Sequence, residues 1–299
     1  MRLNSLTSTG PAILFIASVF FGSSAILIRF ATEASAISLT FFRLSIATAG
    51  MVLFGLSRHN LRSLGRRDLL LVVLSGSMLS LHFATFILAV KETTVANATF
   101  LVNTSPIMLA VLSPLIIKER TTSREALAVL VAMLGILLVA HAGNGFRAFG
   151  LGDLSALLAA FFVAIYSLIG RHLRTSGLST ACYTSYVYGT ATIMSLMLVT
   201  FSGTQTFKPY DTQNLLAILG LGIVPTMLGH TLYNYALGSV KAVTANLFPL
   251  MEPIIASLLA VVLFGEIPTI VQDAGYFLIL AAVVIVARTA SSPKQVEVS

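Results

Sequence analysis

Hydrophobic residues occur in ten long runs along the chain, and short polar stretches separate the runs. A helix needs roughly 20 mostly apolar residues to cross a hydrocarbon core about 30 Å thick, and each run has about that length. The ten predicted spans are 11–31, 36–56, 69–90, 95–117, 125–142, 153–170, 179–201, 214–237, 243–264 and 269–288. No gap between them is long enough for a separate soluble domain. The pattern therefore predicts an all-α integral membrane protein with ten transmembrane helices.

The composition supports this prediction. Of the 299 residues, 57% are hydrophobic and only 10% are charged, whereas a typical soluble domain is about 25% charged. A single cysteine, Cys182, excludes an internal disulfide framework and a cysteine-based zinc site. The N-terminal segment leads directly into a full-length span, so we expect no cleaved signal peptide. We also expect no metal and no cofactor.

The distribution of basic residues indicates an orientation in the membrane. When the loops are assigned alternately to the two sides, 13 of the 18 Lys and Arg residues fall on one side, four fall on the other, and Arg43 lies inside a span. Cytoplasmic loops carry the excess of positive charge. We therefore expect both termini to be cytoplasmic, in a bacterial inner membrane. The net charge of +7 then reflects topology in a lipid bilayer and not a nucleic-acid partner.

The two halves of the chain resemble each other. Spans 3 to 5 overlay spans 8 to 10 at an offset of 147 residues, which places Pro106 on Pro253 and Glu119 on Glu266. Each half contains five spans, an odd number, so the second half enters the membrane from the opposite side. Such inverted repeats are typical of transporters, whose halves exchange conformations to open a central site to either side. The expected division is 1–142 for the first repeat, 151–288 for the second and 289–299 for a cytoplasmic tail.

These repeated residues also carry a resemblance to a known family. Glu252-Pro253 followed by Gly265-Glu266, with Pro106 and Glu119 in the first half, resembles the EamA-type members of the drug/metabolite transporter superfamily. The resemblance covers roughly residues 11–288 and is greatest to the bacterial aromatic amino-acid exporters of the YddG type. It implies a 5+5 fold and a secondary transporter, not an enzyme, that exports small amphipathic metabolites, most of all aromatic amino acids. The alternatives are a broad-specificity drug or metabolite exporter and, more distantly, an integral membrane enzyme.

Polar and aromatic residues at membrane depth indicate where a substrate would bind. Such residues usually face the interior of a helix bundle or a water-filled cavity, so we expect a cavity between spans 3, 4, 8 and 9, with spans 1 and 6 completing its walls. The aromatic candidates would stack on a flat side chain, and the two asparagines would hydrogen-bond the amino-acid head. The candidate substrate-binding residues are Phe20, His82, Phe86, Asn103, Tyr166, Tyr233, Asn234 and Glu252. Pro106 and Pro253 are candidate hinges, with a static kink as the alternative for each.

Two charged residues inside spans allow more than one interpretation. Glu252 could bind a substrate amine or carry a proton, which makes the proton the candidate coupling ion. It could instead hydrogen-bond backbone groups that Pro253 leaves unpaired, and the lack of a second acid at that depth favours this structural role. For Arg43 we favour snorkelling towards the outer surface or a structural ion pair, with binding of a substrate carboxylate as the alternative.

The remaining signals are structural or negative. We expect His82 and His230 to be neutral hydrogen-bonding residues, and Glu119 and Glu266 to form caps or ion pairs at span ends. A phosphate-binding Walker loop is missing, so the chain cannot itself be an ATP-driven pump. The Gly-x-Gly-Asp motif ending at Asp153 occurs in intramembrane aspartyl proteases, but that chemistry requires a second carboxylate at membrane depth.

Overall fold

A computed structural model of the chain describes residues 3–55, 64–93, 95–142, 150–265 and 267–290. These residues are 84% helical and contain no strand, which confirms the predicted all-α class. Nine helical segments of the described chain are long and apolar enough to cross a membrane. They are Thr9–Phe30, Ala36–Leu53, Arg66–Glu92, Asn97–Ile116, Ser123–Ala142, Leu151–Thr175, Thr212–Ala236, Ala242–Leu263 and Ile270–Arg288.

The helices follow one another with short connections. In chain order they are α1 (Leu3–Phe30), α2 (Ala36–Gly55), α3 (Arg66–Glu92), α4 (Val95–Val102), α5 (Ser105–Ile116), α6 (Ser123–Ala142), α7 (Leu151–Thr175), α8 (Thr180–Ser202), α9 (Thr212–Leu221), a π-helical segment (Gly222–His230), α10 (Thr231–Ala236), α11 (Ala242–Leu247), a 3-10 turn (Pro249–Met251), α12 (Glu252–Phe264) and α13 (Ile270–Ala290).

The expected span 179–201, which is not among these nine segments, corresponds to α8 (Thr180–Ser202). This helix has 23 residues and is long enough to cross a membrane, but its many threonines and tyrosines make it less apolar. Its Tyr183 and Tyr188 are fully buried, because α8 packs against α2 and α3. The sequence pattern therefore located this helix correctly and overstated its apolar character.

Three expected spans are interrupted and not continuous. The expected helix 95–117 breaks between α4 and α5, 243–264 breaks at the 3-10 turn, and 214–237 contains the π-helical segment. A proline lacks an N–H group, and its ring clashes with the carbonyl four residues earlier. Pro106 and Pro253 accordingly lie in the first turns of α5 and α12, where the missing N–H costs nothing. Each break lies about one turn before its proline.

Close helix packing holds the ends of the two halves together. Helices α6 and α13 cross at Gly135 and Gly275, where a Cβ atom added to Gly275 would lie 2.5 Å from the carbonyl oxygen of Gly135. Small residues allow such backbone approach between membrane helices. Large apolar side chains cover the outside of the bundle, for example Val262 at 81% exposed and Phe277 at 71% exposed. This outer surface suits a lipid environment.

The helix that leads into the π-helical segment begins at a well-formed cap. The side chain of Asp211 precedes α9 and accepts a hydrogen bond from the backbone N–H of Asn214 at 2.7 Å. This hydrogen bond favours the carboxylate and holds the pKa of Asp211 below its usual range.

Candidate functional site

The helix interruptions meet at one central cavity. Its free volume is about 620 Å³, including the part that is open to solvent. Interrupted helices in membranes are tolerated where they line a cavity, because their freed polar groups find partners there. The lining residues contributed by the three interrupted helices are Val102, Asn103, Ser105, Pro225, His230, Tyr233, Asn246, Pro249 and Glu252.

Aromatic rings form a large part of the cavity wall. The rings of His82 and Phe86 are stacked, with planes 8° apart and centroids 6.1 Å apart. The ring of His230 lies 5.0 Å from Phe83 and 4.8 Å from Phe21, centroid to centroid. Flat apolar faces of this kind suit a flat side chain of a ligand.

His82 also ties two helices together. Its Nδ1 lies 2.9 Å from the carbonyl oxygen of Ala159 on α7. Because a carbonyl only accepts, Nδ1 is the donor in this hydrogen bond. The expected hydrogen-bonding role of His82 is confirmed.

Arg43 is buried beside the cavity, which contradicts the snorkelling interpretation. The residue is 2% exposed. Its Nε donates a hydrogen bond to Thr226 Oγ1 at 2.9 Å, and its guanidinium carbon lies 3.6 Å from the centroid of the Phe83 ring. The hydrogen bond and the cation–π contact hold the charge inside the bundle, so the side chain does not reach towards the surface. Its Nη1 has no hydrogen-bond partner among the described residues.

Glu252 begins α12 and faces the same cavity. Its Oε1 atom is buried and accepts no hydrogen bond from the part of the chain that the structure describes. Glu252 and Arg43 interact electrostatically without forming a direct ion pair. The guanidinium of Arg43 and the carboxyl group of Glu252 therefore face one space, and each has a buried atom without a hydrogen-bond partner in the described chain.

Glu252 also lines a second cavity, of about 860 Å³ including its opening to solvent. This cavity extends from Glu252 to Arg29 at the end of α1 and to Ile267, which is 84% exposed. We call this side of the bundle the opposite end, because it lies opposite the ion-paired side that is described next. Glu252 thus lies between the central cavity and a solvent-facing one.

Ion pairs close the other side of the bundle. Arg171 Nε lies 2.7 Å from Glu119 Oε1, and Lys241 Nζ lies 3.3 Å from Glu125 Oε2. Thr244 Oγ1 donates a further hydrogen bond to Glu125 Oε1 at 2.8 Å. We call this side the basic end. Both pairs join a residue of the first half of the chain to one of the second half, so they fasten the halves together.

The ion pairs confirm the expected role of Glu119. Its counterpart in the second half, Glu266, lies outside the described residues.

A chain of hydrogen bonds lies between this ion-pair layer and the cavity. Ser105 donates to Asn246 Oδ1 at 2.6 Å, and Asn246 Nδ2 donates to the hydroxyl oxygen of Tyr233 at 3.2 Å. The Tyr233 hydroxyl also lies 2.8 Å from Ser167 Oγ. The network links α5, α11, α10 and α7 and forms the floor of the cavity at the basic end.

The structure brings five of the eight expected binding residues to the cavity. They are His82, Phe86, Asn103, Tyr233 and Glu252. Phe20 does not line the cavity, whereas its neighbour Phe21 does. One position is about 100° of rotation on an α-helix, so choosing the neighbouring residue selects another face.

The other expected residues, Tyr166, Asn234 and the two prolines, do not line the central cavity. Tyr166 and Asn234 are fully buried, and the Asn234 side chain donates to the Tyr166 hydroxyl. Pro253 lines the second cavity, and Pro106 directly follows Ser105 in the first turn of α5. The hinge role of both prolines stays a prediction.

Some lining residues were missing from the expected set. Among them are Arg43, Phe83 and Asn246. Arg43 carried a visible signal, a lone charge within an apolar run, while Phe83 is one position from His82.

The comparisons with known proteins agree with this architecture. The model of the EamA-like transporter family matches residues 8–141 and again residues 150–288. The Bacillus subtilis protein "Uncharacterized transporter YdfC" is 30% identical over 241 residues, covering 79% of this chain and 77% of the relative. An "Uncharacterized transporter" of Archaeoglobus fulgidus is 27% identical over 279 residues, covering 93% and 96%. A solved crystal structure has a TM-score of 0.79 at 20% identity and covers 95% of this chain and 99% of that chain, which shows a shared fold.

Proposed function

This chain belongs to the EamA-like transporter family, and on that premise we propose that it is a secondary transporter that works by alternating access and exports small amphipathic metabolites, above all aromatic amino acids. The relatives named as transporters point to a transporter and away from an enzyme. The observation that carries the proposal is the central cavity, with its aromatic wall, its interrupted helices and its closed basic end. Transporters place substrate sites at such interruptions near the bilayer midplane.

The proposed architecture is two inverted repeats of five helices, residues 1–142 and 151–288. Packing supports it, because the last helices of the two halves, α6 and α13, pack together, as do the second helices, α2 and α8. Helix α3 packs on α7, and the π-helical segment, which lies in the corresponding span of the second half, packs on α1. An exchange of the two halves preserves this set of contacts, as alternating access between inverted repeats requires.

The proposed orientation places the basic end in the cytoplasm of a bacterial cell, with both termini on that side. The positive-inside rule supports it. In this orientation the structure corresponds to a state closed towards the cytoplasm, with the second cavity towards the outside. A reporter fused after Ser299 should be active only if it works in the cytoplasm, and activity of a periplasmic reporter at that position would contradict the orientation.

The proposed substrate class follows from the cavity lining. Stacked and tilted rings offer surfaces for a flat apolar side chain. Strongly anionic substrates such as nucleotide sugars call for several cationic side chains, and Arg43 is the only Lys or Arg in the described lining.

Transport into liposomes tests the proposal. Purified protein would be reconstituted and the uptake of radiolabelled Phe, Tyr, Trp and non-aromatic amino acids measured against protein-free liposomes. We expect uptake of the aromatic amino acids to exceed that of the others. Absence of any amino-acid flux would contradict the substrate class, and equal flux of unrelated organic cations would favour a broad-specificity exporter.

A further inference from the structure

We propose that the central cavity selects zwitterions, with Arg43 binding the carboxylate of the substrate and Glu252 binding its ammonium group. This inference rests on the proposed function, because it assumes that the substrate occupies this cavity. It adds the chemical class of the substrate head group and the two residues that recognise it.

The first observation is how Arg43 is held. Thr226 accepts the hydrogen bond from Nε, and Phe83 covers one face of the guanidinium. These contacts fix the orientation of the group and leave Nη1 without a partner in the described chain. A buried cation with an unused donor is costly unless an anion completes its shell. A carboxylate is a small anion whose geometry matches a guanidinium.

The second observation is that Glu252 has an acceptor atom without a hydrogen-bond partner in the described chain. Its Oε1 is buried and unpaired within the described residues, although Glu252 begins a helix and lines the cavity. An ammonium group offers three donors and would satisfy this oxygen. Among the described lining residues Glu252 is the only acid, as Arg43 is the only Lys or Arg.

Neutral groups around the two charges have unused capacity as well. Asn103 Nδ2 and His230 Nδ1 are buried, line the same cavity and have no hydrogen-bond partner among the described residues. The amide can donate to a substrate carboxylate without adding charge. The cavity-lining groups with unused hydrogen-bonding capacity are therefore one basic side chain, one acidic side chain and neutral groups. They complement the carboxylate and the ammonium group of an amino acid.

This arrangement rejects ligands that carry only one charge. An amine without a carboxylate would leave Arg43 unpaired, and a carboxylate without an amine would leave Glu252 unpaired. A site that leaves a buried polar group unpaired discriminates strongly against the wrong ligand. Selectivity thus depends on both head groups being present together.

Three indole compounds test the inference, because they share one ring and differ in the head group. Tryptophan carries both charges, tryptamine only the ammonium group and indole-3-propionate only the carboxylate. The chain contains no tryptophan, so indole fluorescence excited beyond tyrosine absorption reports the ligand alone. Binding to the purified protein and flux in liposomes would be measured for all three compounds.

The wild-type protein should bind tryptophan about tenfold to 100-fold more tightly than either single-charge analogue, as expected for one charged hydrogen bond. Arg43→Gln should weaken tryptophan binding and reduce its advantage over tryptamine. Glu252→Gln should reduce its advantage over indole-3-propionate instead. Arg43→Lys, which keeps the charge, guards against loss of folding and should retain part of the zwitterion preference. Glu33→Gln and Lys208→Gln, on the exposed surface, are the matched charge controls.

The outcomes separate this inference from the proposed function. Flux of all three indoles with similar affinity in the wild type would overturn the zwitterion proposal and leave the transporter assignment intact. Folded variants whose ligand preferences equal those of the wild type would also overturn it. No binding and no flux of any of the three would contradict both the zwitterion proposal and the proposed aromatic amino-acid substrates.

Discussion

Neutralising Glu119 should make the basic end open more often. Its Oε1 lies 2.7 Å from Arg171 Nε, and the two side chains are 21% and 14% exposed, respectively. Glu119 Oε2 also accepts a hydrogen bond from the backbone N–H of Ala242 at 3.4 Å. These contacts join the two halves in the closed state, so they must break when the basic end opens.

The structure gives the size of the expected effect. A hydrogen bond to a charged group contributes about 1.5 to 3 kcal/mol. If Glu119→Gln loses this contribution only in the closed state, the ratio of open to closed molecules should rise about 10-fold to 150-fold. The Lys241–Glu125 pair is still present in the variant and stabilises the closed state, so we expect a fraction of the molecules to stay closed.

Cysteine labelling measures this change. The single native cysteine, Cys182, is buried, and Cys182→Ser provides a cysteine-free background. A cysteine introduced as Ala242→Cys replaces a fully buried residue, so it should react with a maleimide only when the basic end opens. The labelling rate should rise at least about tenfold in Glu119→Gln, with Glu33→Gln as the acidic control. An unchanged rate in a folded Glu119→Gln protein would refute the assignment of this ion pair as part of the closure.

Three further predictions concern other parts of the molecule. Gly275→Ala should lower the free energy of unfolding by about 1 to 3 kcal/mol through overpacking, since the new Cβ would lie 2.5 Å from the Gly135 oxygen. Gly189→Ala is the control, because a Cβ atom added there would have no neighbour within 4 Å beyond its own stretch of helix. Thermal unfolding in detergent measures both variants. The lowered pKa of Asp211 means that its cap stabilises the protein above the usual pKa of an aspartate and loses this contribution as pH falls through the lowered value. The protection factors of the amides at the start of α9, which are exchange rates corrected for the intrinsic effect of pH, should therefore fall with acid in the wild type and less so in Asp211→Asn. If a proton is the coupling ion, Glu252 is its carrier, so net export should follow an imposed pH gradient in the wild type and not in Glu252→Gln; a variant that still follows the gradient would exclude Glu252 from coupling.

Helix positions were predictable from the sequence because length and apolarity are local properties. The expected span 36–56 matches α2 (Ala36–Gly55), and the breaks before α5 and before α12 lie where Pro106 and Pro253 predict a weak hydrogen-bond ladder. The π-helical segment was not predicted, although it contains Pro225, which weakens the hydrogen-bond ladder in the same way. The proline does not by itself show which irregular form the helix takes. Around the segment, Gly222 closely approaches Ile46, and Thr226 Oγ1 donates a hydrogen bond to the carbonyl of Leu221 at 2.6 Å.

The cavity face of each helix was harder to predict than the helix itself. A membrane helix is apolar on all sides, so its periodicity indicates the inner face only weakly. Phe20 and Phe21 are equally hydrophobic, and only the packing of α1 against the π-helical segment places Phe21 at the cavity. The polar residues His82, Asn103 and Glu252 were easier to assign, because burial in the bundle is the less costly position for them.

Arg43 shows why a local energy argument can point the wrong way. The cost of a buried cation favours snorkelling when only the neighbouring sequence is considered. The groups that stabilise the cation inside, Phe83 and Thr226, are distant in sequence, and part of its bonding capacity stays unused. Natural sequences break local rules mainly at functional sites. A charge that the fold buries, orients and leaves partly unpaired therefore indicates a ligand, and the buried, unpaired oxygen of Glu252 in the same cavity indicates that this ligand carries both signs of charge.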